Sequence, residues 1–298
     1  MGGTILRCIA GTFQWFFGRL SPSAAGRLGI IFGDIFRLFD GRHRRVARLN
    51  LRIAFGDTKS EKEIRRIIKD VYRNLGQTSV EFARIPSLSR EDALEYMTPA
   101  VKERLDGFLS SGKGLVLVGA HFGNWELMAA AGPLAGYKVS AVVRPLDNSH
   151  VDKIVREVRE SSGLEIIGRR VSALAIVRRL KRNQIVGILA DQNTRKQNVF
   201  VDFFGLKAAT TPGPALLALK TGAILVPVFM VREGVGKHRL VVEDPIDVVH
   251  TGDQQADVIA TTQKCVDILE KYVRKYPSQW FWVHRRWRTR PPGEQPIY

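Results

Sequence analysis

Cysteine is almost missing from this 298-residue chain, which holds two, Cys8 and Cys265. Two thiols so far apart exclude a disulfide scaffold, and neither has neighbours at metal-ligand spacing. No H-E-x-x-H pair or cysteine cluster indicates a metal, and no glycine-rich dinucleotide or Walker-type phosphate loop indicates a nucleotide. Long apolar runs are missing too. A membrane-crossing helix needs ~18 or more apolar residues, and a charge-free run such as Ala208–Leu219 falls well short. Acidic residues are in the minority, 29 Asp+Glu against 46 Lys+Arg, so the net charge is +17 and the pI about 10.3. The 45% apolar content excludes wholesale disorder. The charge demands an acidic partner: nucleic acid, an anionic membrane or an acidic protein.

The N-terminus favours the membrane. Arg19 is the only charge between Cys8 and Gly26, a stretch that holds Phe13, Trp15, Phe16 and Phe17. Asp34 and Arg37 interrupt the apolar run Leu28–Phe39. No small-residue cleavage site follows a continuous apolar core, so a cleaved signal peptide fits poorly. Gly18, Ser21, Pro22 and Ser23 divide the region into two short helices, suited to lying in a membrane interface or to covering a core. Arg42, His43, Arg44, Arg45, Arg48 and Arg52 then crowd a helix with apolar Val46, Leu49 and Ile53. Such residues attract anionic lipid by roughly 1 kcal/mol each near the surface. Nucleic acid would satisfy the same charges, but no zinc-finger or RNP-like motif accompanies them, so a basic nucleic-acid-binding module rests on charge alone.

Periodicity organises the rest. Ile64, Ile67, Ile68, Val71, Leu75 and Val80 predict an amphipathic helix over Glu61–Ala83, opened by a Ser60/Glu63 capping box. A further helix over Arg90–Ser110 should break at Pro99. Short β-rich runs follow at Leu115–Gly119, Val139–Val143, Ile185–Ala190, Ile224–Met230 and His238–Glu243. Helical patterns lie between the first four, over Asn124–Leu134, Asp152–Ser161, Ser172–Arg182 and Pro214–Thr221, and a last helix carries Val258–Val273. Continuous apolar strands alternating with helices predict an α/β fold with a mixed, largely parallel central sheet flanked by helices. The expected division is a helical, membrane-associating extension over 1–110 and an α/β core over 111–298, forming one structural unit.

The sharpest local feature is GAHFGNWELM, Gly119–Met128. His121 follows a buried strand at its carboxyl end, where open α/β sheets place ligands. Gly119, Ala120 and Gly123 leave room for a substrate, and Asn124 can cap the next helix. Glu126, five residues after the histidine, can reach back to one imidazole nitrogen and leave the other free as a base. The motif has no nucleophile of its own, so the attacking hydroxyl must come from a substrate. This H-x4-E pattern resembles the dyad of the glycerolipid acyltransferase superfamily. In detail the chain is similar to the branch of lipid A biosynthesis lauroyl/myristoyl acyltransferases, which includes mannosyl-phosphatidylinositol acyltransferases. Other blocks carry the likeness in order: RRVARLNLRIAF (Arg44–Phe55), VVRPLDN (Val142–Asn148), the long block Ile188–Ala218, TGAILVPVF (Thr221–Phe229) and YPSQWFWVHRRWRTRP (Tyr276–Pro291).

The resemblance implies transfer of a fatty acyl chain from a thioester of acyl carrier protein, or from acyl-CoA, to a hydroxyl of a lipid A precursor or related anionic glycolipid. It implies no cofactor, no acyl-enzyme and no nucleic acid, and a place at the cytoplasmic face of the inner membrane. His121 would take the hydroxyl proton, Glu126 would hold the imidazole, and backbone N–H groups of the glycine-rich turn would receive the oxyanion. Gly123 and Asn124 would contact substrate. Arg144, at a strand end, suits a phosphate or a surface ion pair. Asp191 and Gln192 end the next strand, where the resemblance implies substrate contacts and a buried structural Asp is the alternative. Arg195 and Lys196 can face anionic substrate. Thr211, in the turn Thr210–Gly213, either binds phosphate or caps the helix at Pro214. Trp280, Trp282 and Trp287, interleaved with His284, Arg285, Arg286, Arg288 and Arg290, read as a basic aromatic tail facing lipid.

Overall fold

The computed structural model describes residues 2–168 and 173–298, with side chains from residue 6 onward. Six helices come first: α1 (Gly2–Gly18), α2 (Pro22–Phe39), α3 (Gly41–Phe55), α4 (Glu61–Arg84), α5 (Arg90–Tyr96) and α6 (Pro99–Leu109). Their boundaries follow local chemistry. Ser21 caps α2, with Pro22 at its first position, and the Ser60/Glu63 box opens α4 as expected. The break at Pro99 is present because that proline begins α6, capped by Thr98.

Strands and helices then alternate: β1 (Leu115–Gly119), α7 (Trp125–Leu134), β2 (Val139–Val143), α8 (Ser149–Glu160), β3 (Glu165–Gly168), α9 (Ala173–Lys181), β4 (Ile185–Leu189), β5 (Val199–Phe203), β6 (Leu206–Thr210), α10 (Gly213–Thr221), β7 (Ile224–Gly234), β8 (Lys237–Val242) and α11 (Gln254–Lys275). Ser172, with which the helix expected over Ser172–Arg182 begins, lies outside the described residues. The main sheet runs β3-β2-β4-β1-β7-β8, parallel throughout except for the antiparallel β7–β8 pair. The fold is therefore α/β with a largely parallel sheet flanked by helices, as the alternation predicts. Three strands escape the periodicity argument. β3 has only four residues at the sheet edge, and β5–β6 form a separate hairpin of mixed polarity.

The register positions the site. Gly119 of β1 stands opposite Leu189 of β4. Two residues beyond each lie His121 and Asp191, side by side at the carboxyl edge.

α2 is built inside out. Its small residues, Gly26, Gly29 and Gly33, face α4, and its large apolar residues face solvent. A Cβ on Gly33 would lie 2.2 Å from the Tyr72 carbonyl oxygen, and one on Gly76 would lie 2.1 Å from that of Gly29. Only backbone fits against backbone there. No helix among the described residues is long and apolar enough to cross a membrane.

The C-terminal tryptophans overturn an expectation. Trp280 is 2% exposed, and Trp282 and Trp287 are completely buried. They pack with Phe203, Phe204 and Phe55 in the largest core cluster. Arg286 is buried as well, donating to the Ala209 carbonyl (2.8 Å) and to Thr210 Oγ1 (2.5 Å). Burial pushes its guanidinium down to about 10, so it still carries its charge at neutral pH. These aromatics close the core against the β5–β6 hairpin and do not face lipid.

Candidate active site

His121 sits on the turn between β1 and α7, with its side chain partly open to solvent. Its Nδ1 lies 2.8 Å from Asp191 Oδ1, and its backbone N–H donates to Asp191 Oδ2 at 3.0 Å. The Trp280 indole Nε1–H donates to the same Oδ2 at 2.9 Å. Burial alone would raise the Asp191 carboxyl, but the charge and hydrogen bonds of His121 and the indole outweigh it. The group is held below its ordinary value and stays ionised. An ionised acceptor fixes the proton on Nδ1 and leaves Nε2 as the basic nitrogen. Gln192 stands beside that nitrogen, its Nε2 3.3 Å away. The Trp125 and Phe281 rings flank the imidazole at 5.3 and 5.8 Å.

Glu126 does not take the part that spacing gave it. Its carboxylate receives two bonds from Arg159 of α8, at 2.6 and 2.8 Å, and one from Trp125 Nε1 at 3.0 Å. The reason is helical geometry. Glu126 lies in the first turn of α7 on the side facing α8, so a guanidinium meets it where the imidazole was expected. Asp191, expected among substrate contacts, is instead the histidine's partner.

The glycine-rich turn is equally occupied. Gly123 has φ +57°, and a Cβ there would meet the Met230 carbonyl oxygen at 1.7 Å, so only glycine fits. Its N–H donates to the Gln279 carbonyl (2.8 Å), and its carbonyl accepts from Asn74 and Thr78 of α4 (3.2 Å each). Asn124 is fully buried. Its Oδ1 caps α7 at Leu127 N (2.9 Å), its Nδ2 donates to Glu81 (2.7 Å), and its N–H donates to Met230 O (3.2 Å). The N–H groups of His121 and Phe122 are taken by Asp191 and Ala120. Gly123 and Asn124 therefore build the scaffold, and among the described residues the four N–H groups from His121 to Asn124 are all engaged. Behind it, Glu81 and Arg232 form a buried bidentate pair with both distances 2.7 Å. Burial works against the Glu81 charge, but His238, whose Nε2 lies 3.4 Å away, and the two bonds from Arg232 prevail and draw it down to about 2.

The other expected residues disperse. The Arg144 side chain is 72% exposed and among the described residues pairs with Asp147, at 3.4 Å, which is the surface-pair alternative. Arg195 and Lys196 are exposed. Thr211 Oγ1 accepts the Gly213 N–H (3.3 Å) at the opening of α10, the capping alternative. It also lines a small apolar pocket between the sheet and helices α10 and α11. Val118, Gly119, Ala190, Ala215, Cys265 and Leu269 form part of its wall. Gly119, at the end of β1, and Ala190, the residue before Asp191, bring the pocket wall to within two residues of His121 and one of Asp191 along the chain. Sequence spacing could not reveal this cavity, whose walls come from five elements.

A largely parallel sheet with an imidazole–carboxylate pair at its carboxyl edge is the arrangement of an α/β enzyme that binds its ligand at that edge. The chain belongs to the bacterial lipid A biosynthesis acyltransferase family, whose profile it matches over residues 5–289, and it is an O-acyltransferase. It is 29% identical over 289 residues to the lipid A biosynthesis palmitoleoyltransferase of Escherichia coli (strain K12), covering 95% of this chain and 91% of that one. The lauroyltransferase of the same organism is 27% identical over 281 residues, 94% and 90% of the two chains. A phosphatidylinositol mannoside acyltransferase of Mycolicibacterium smegmatis is 30% identical over 212 residues, 70% and 67%.

Proposed function

We propose that this protein moves a fatty acyl chain from an acyl carrier protein thioester to a hydroxyl of a lipid A precursor, working on the cytoplasmic face of the inner membrane. The observation that carries the chemistry is the His121–Asp191 pair at the carboxyl edge of the sheet, with Gly119 and Ala190, close to the pair along the chain, in the wall of an apolar pocket. The acyl chain enters the pocket and its carbonyl stops at the rim. His121 Nε2 takes the proton of the acceptor hydroxyl as that oxygen attacks the carbonyl carbon. Asp191 stabilises the imidazolium so formed. The tetrahedral intermediate expels the thiolate, which takes the proton back, and the products are an ester and a thiol. The N–H groups of Trp125 and Glu126, first in α7 and without a partner among the described residues, would receive the oxyanion.

The surface supports a lipid-borne substrate. Phe13, Trp15 and Phe16 of α1 stand exposed, as do Phe32, Ile35, Phe36 and Phe39 of α2, with Phe39 at 83%. An apolar face of this kind marks an interaction site, and Arg42, Arg44 and Arg45, without an acidic partner among the described residues, border it. Anionic lipid matches that combination. The excess of positive charge also favours acidic acyl carrier protein over acyl-CoA as donor.

The test is to offer the purified protein radiolabelled acyl chains on acyl carrier protein and on coenzyme A, with lipid A precursor and phosphatidylinositol mannoside as acceptors. Transfer from the carrier protein to the lipid A precursor is expected. Preference for coenzyme A or for the mannoside would refute the corresponding half of the proposal. Sedimentation with anionic but not neutral vesicles tests the membrane face.

A further inference from the structure

The segment that follows α11 reaches both halves of the catalytic pair. Phe281 N–H donates to the His121 carbonyl at 3.1 Å. Trp280 Nε1–H donates to Asp191 Oδ2 at 2.9 Å. The Gln279 carbonyl accepts the Gly123 N–H, and the Gln279 side chain is fixed by both backbone groups of Arg232, at 2.8 Å each. His284 Nε2 accepts the N–H of Asn193, two residues beyond Asp191, at 3.0 Å. Asn50 of α3 ties the segment down through the carbonyls of Trp282 (2.7 Å) and His284 (2.8 Å).

Within this set the indole N–H has a separate task. Asp191 Oδ1 faces the imidazole, and Oδ2 accepts from the His121 backbone and from Trp280. Without the indole the carboxylate keeps, among the described residues, hydrogen bonds to His121 alone, and no hydrogen bond from another described residue fixes its rotation. We infer that Trp280 is a positioning residue for acyl transfer: its indole N–H locks the Asp191 carboxylate in the plane that presents Oδ1 to His121 Nδ1. A buried bond to a charged group of this length is among the stronger hydrogen bonds in a protein. The inference rests on the acyl-transfer reading above.

Trp280→Phe tests it. Phenylalanine keeps an aromatic ring against Phe203 and Trp282, whose centroids lie 5.3 and 4.6 Å away, and removes only the donor and part of the ring. In single-turnover transfer from acyl carrier protein to lipid A precursor, kcat should fall about ten- to a hundred-fold with KM for both substrates little changed. On an Asp191→Asn background the same substitution should cost nothing further, because the group it acts through is already altered. Wild-type kcat in the single variant, or an equal loss on both backgrounds, overturns the inference; the second result would mean general loosening of the core. Should the wild type transfer no acyl chain at all, the acyl-transfer reading fails separately. The contact is then judged by the Trp280 indole proton resonance, which must shift in Asp191→Asn, and an unmoved resonance overturns the inference as well.

Discussion

Replacing Asp191 by asparagine decides which carboxylate serves the base. The Asp191 side chain receives N–H groups on both oxygens, from His121 Nδ1 at 2.8 Å on one and from His121 N and Trp280 Nε1 at 3.0 and 2.9 Å on the other. An asparagine can satisfy the two fixed donors only by keeping its carbonyl on their side. Its NH2 then faces Nδ1, which must accept, and the imidazole proton moves to Nε2. The nitrogen that should take the hydroxyl proton is left protonated, and the counter-charge for the imidazolium is gone. In an imidazole–carboxylate pair this change is worth roughly 1,000- to 10,000-fold in turnover. The fold should survive, because size and packing are kept. Transfer of a radiolabelled acyl chain under single-turnover conditions is the assay, with thermal unfolding as the check on folding. Glu126→Gln should be milder, since it weakens the Arg159 pair without changing the tautomer of His121. Refutation would be an Asp191→Asn enzyme within about ten-fold of wild type beside a dead Glu126→Gln. That outcome would return the orienting role to Glu126 and require the turn to rearrange when substrate binds.

Three other outcomes follow from the structure. Ala215→Leu narrows the apolar pocket, so the variant should favour shorter acyl donors, with discrimination of about 1–3 kcal/mol per methylene excluded; an unchanged chain-length profile in a folded variant would rule the pocket out as the acyl site. His284 is drawn down from 6.5 to about 4, chiefly by burial. The folded state therefore binds fewer protons there, and its stability is full above pH 6.5 and lost as pH falls through about 4. His284→Gln should flatten the fall of Tm over that window, and an unaltered slope would show that another group causes it. Gly33→Val drives a side chain into the Tyr72 carbonyl and should destabilise the protein by about 1–3 kcal/mol in denaturant unfolding; wild-type stability would refute the close α2–α4 approach.

The sequence by itself determined the local elements and much of their arrangement. Helix periodicity, the Ser60/Glu63 box and the proline at residue 99 are decided by residues a few positions apart, so short windows reveal them. Continuous apolar runs alternating with helices lead to a largely parallel sheet because only a strand covered on both faces carries such a pattern. That sheet places His121 at a carboxyl edge. Tertiary structure alone decided what the histidine meets there. Its partner is 70 residues away and becomes adjacent only through the β1–β4 register, which pairs Gly119 with Leu189. Spacing pointed to Glu126 because a five-residue interval can be read along the chain, whereas Arg159 could not be seen to claim that carboxylate from another helix. The same distinction governs the tryptophans near the C-terminus. Composition reads them as an interfacial tail, yet aromatic rings beside arginines suit a lipid surface and a closed core equally well. The choice depended on Phe55, Phe203 and Phe204, which long-range folding gathers around them.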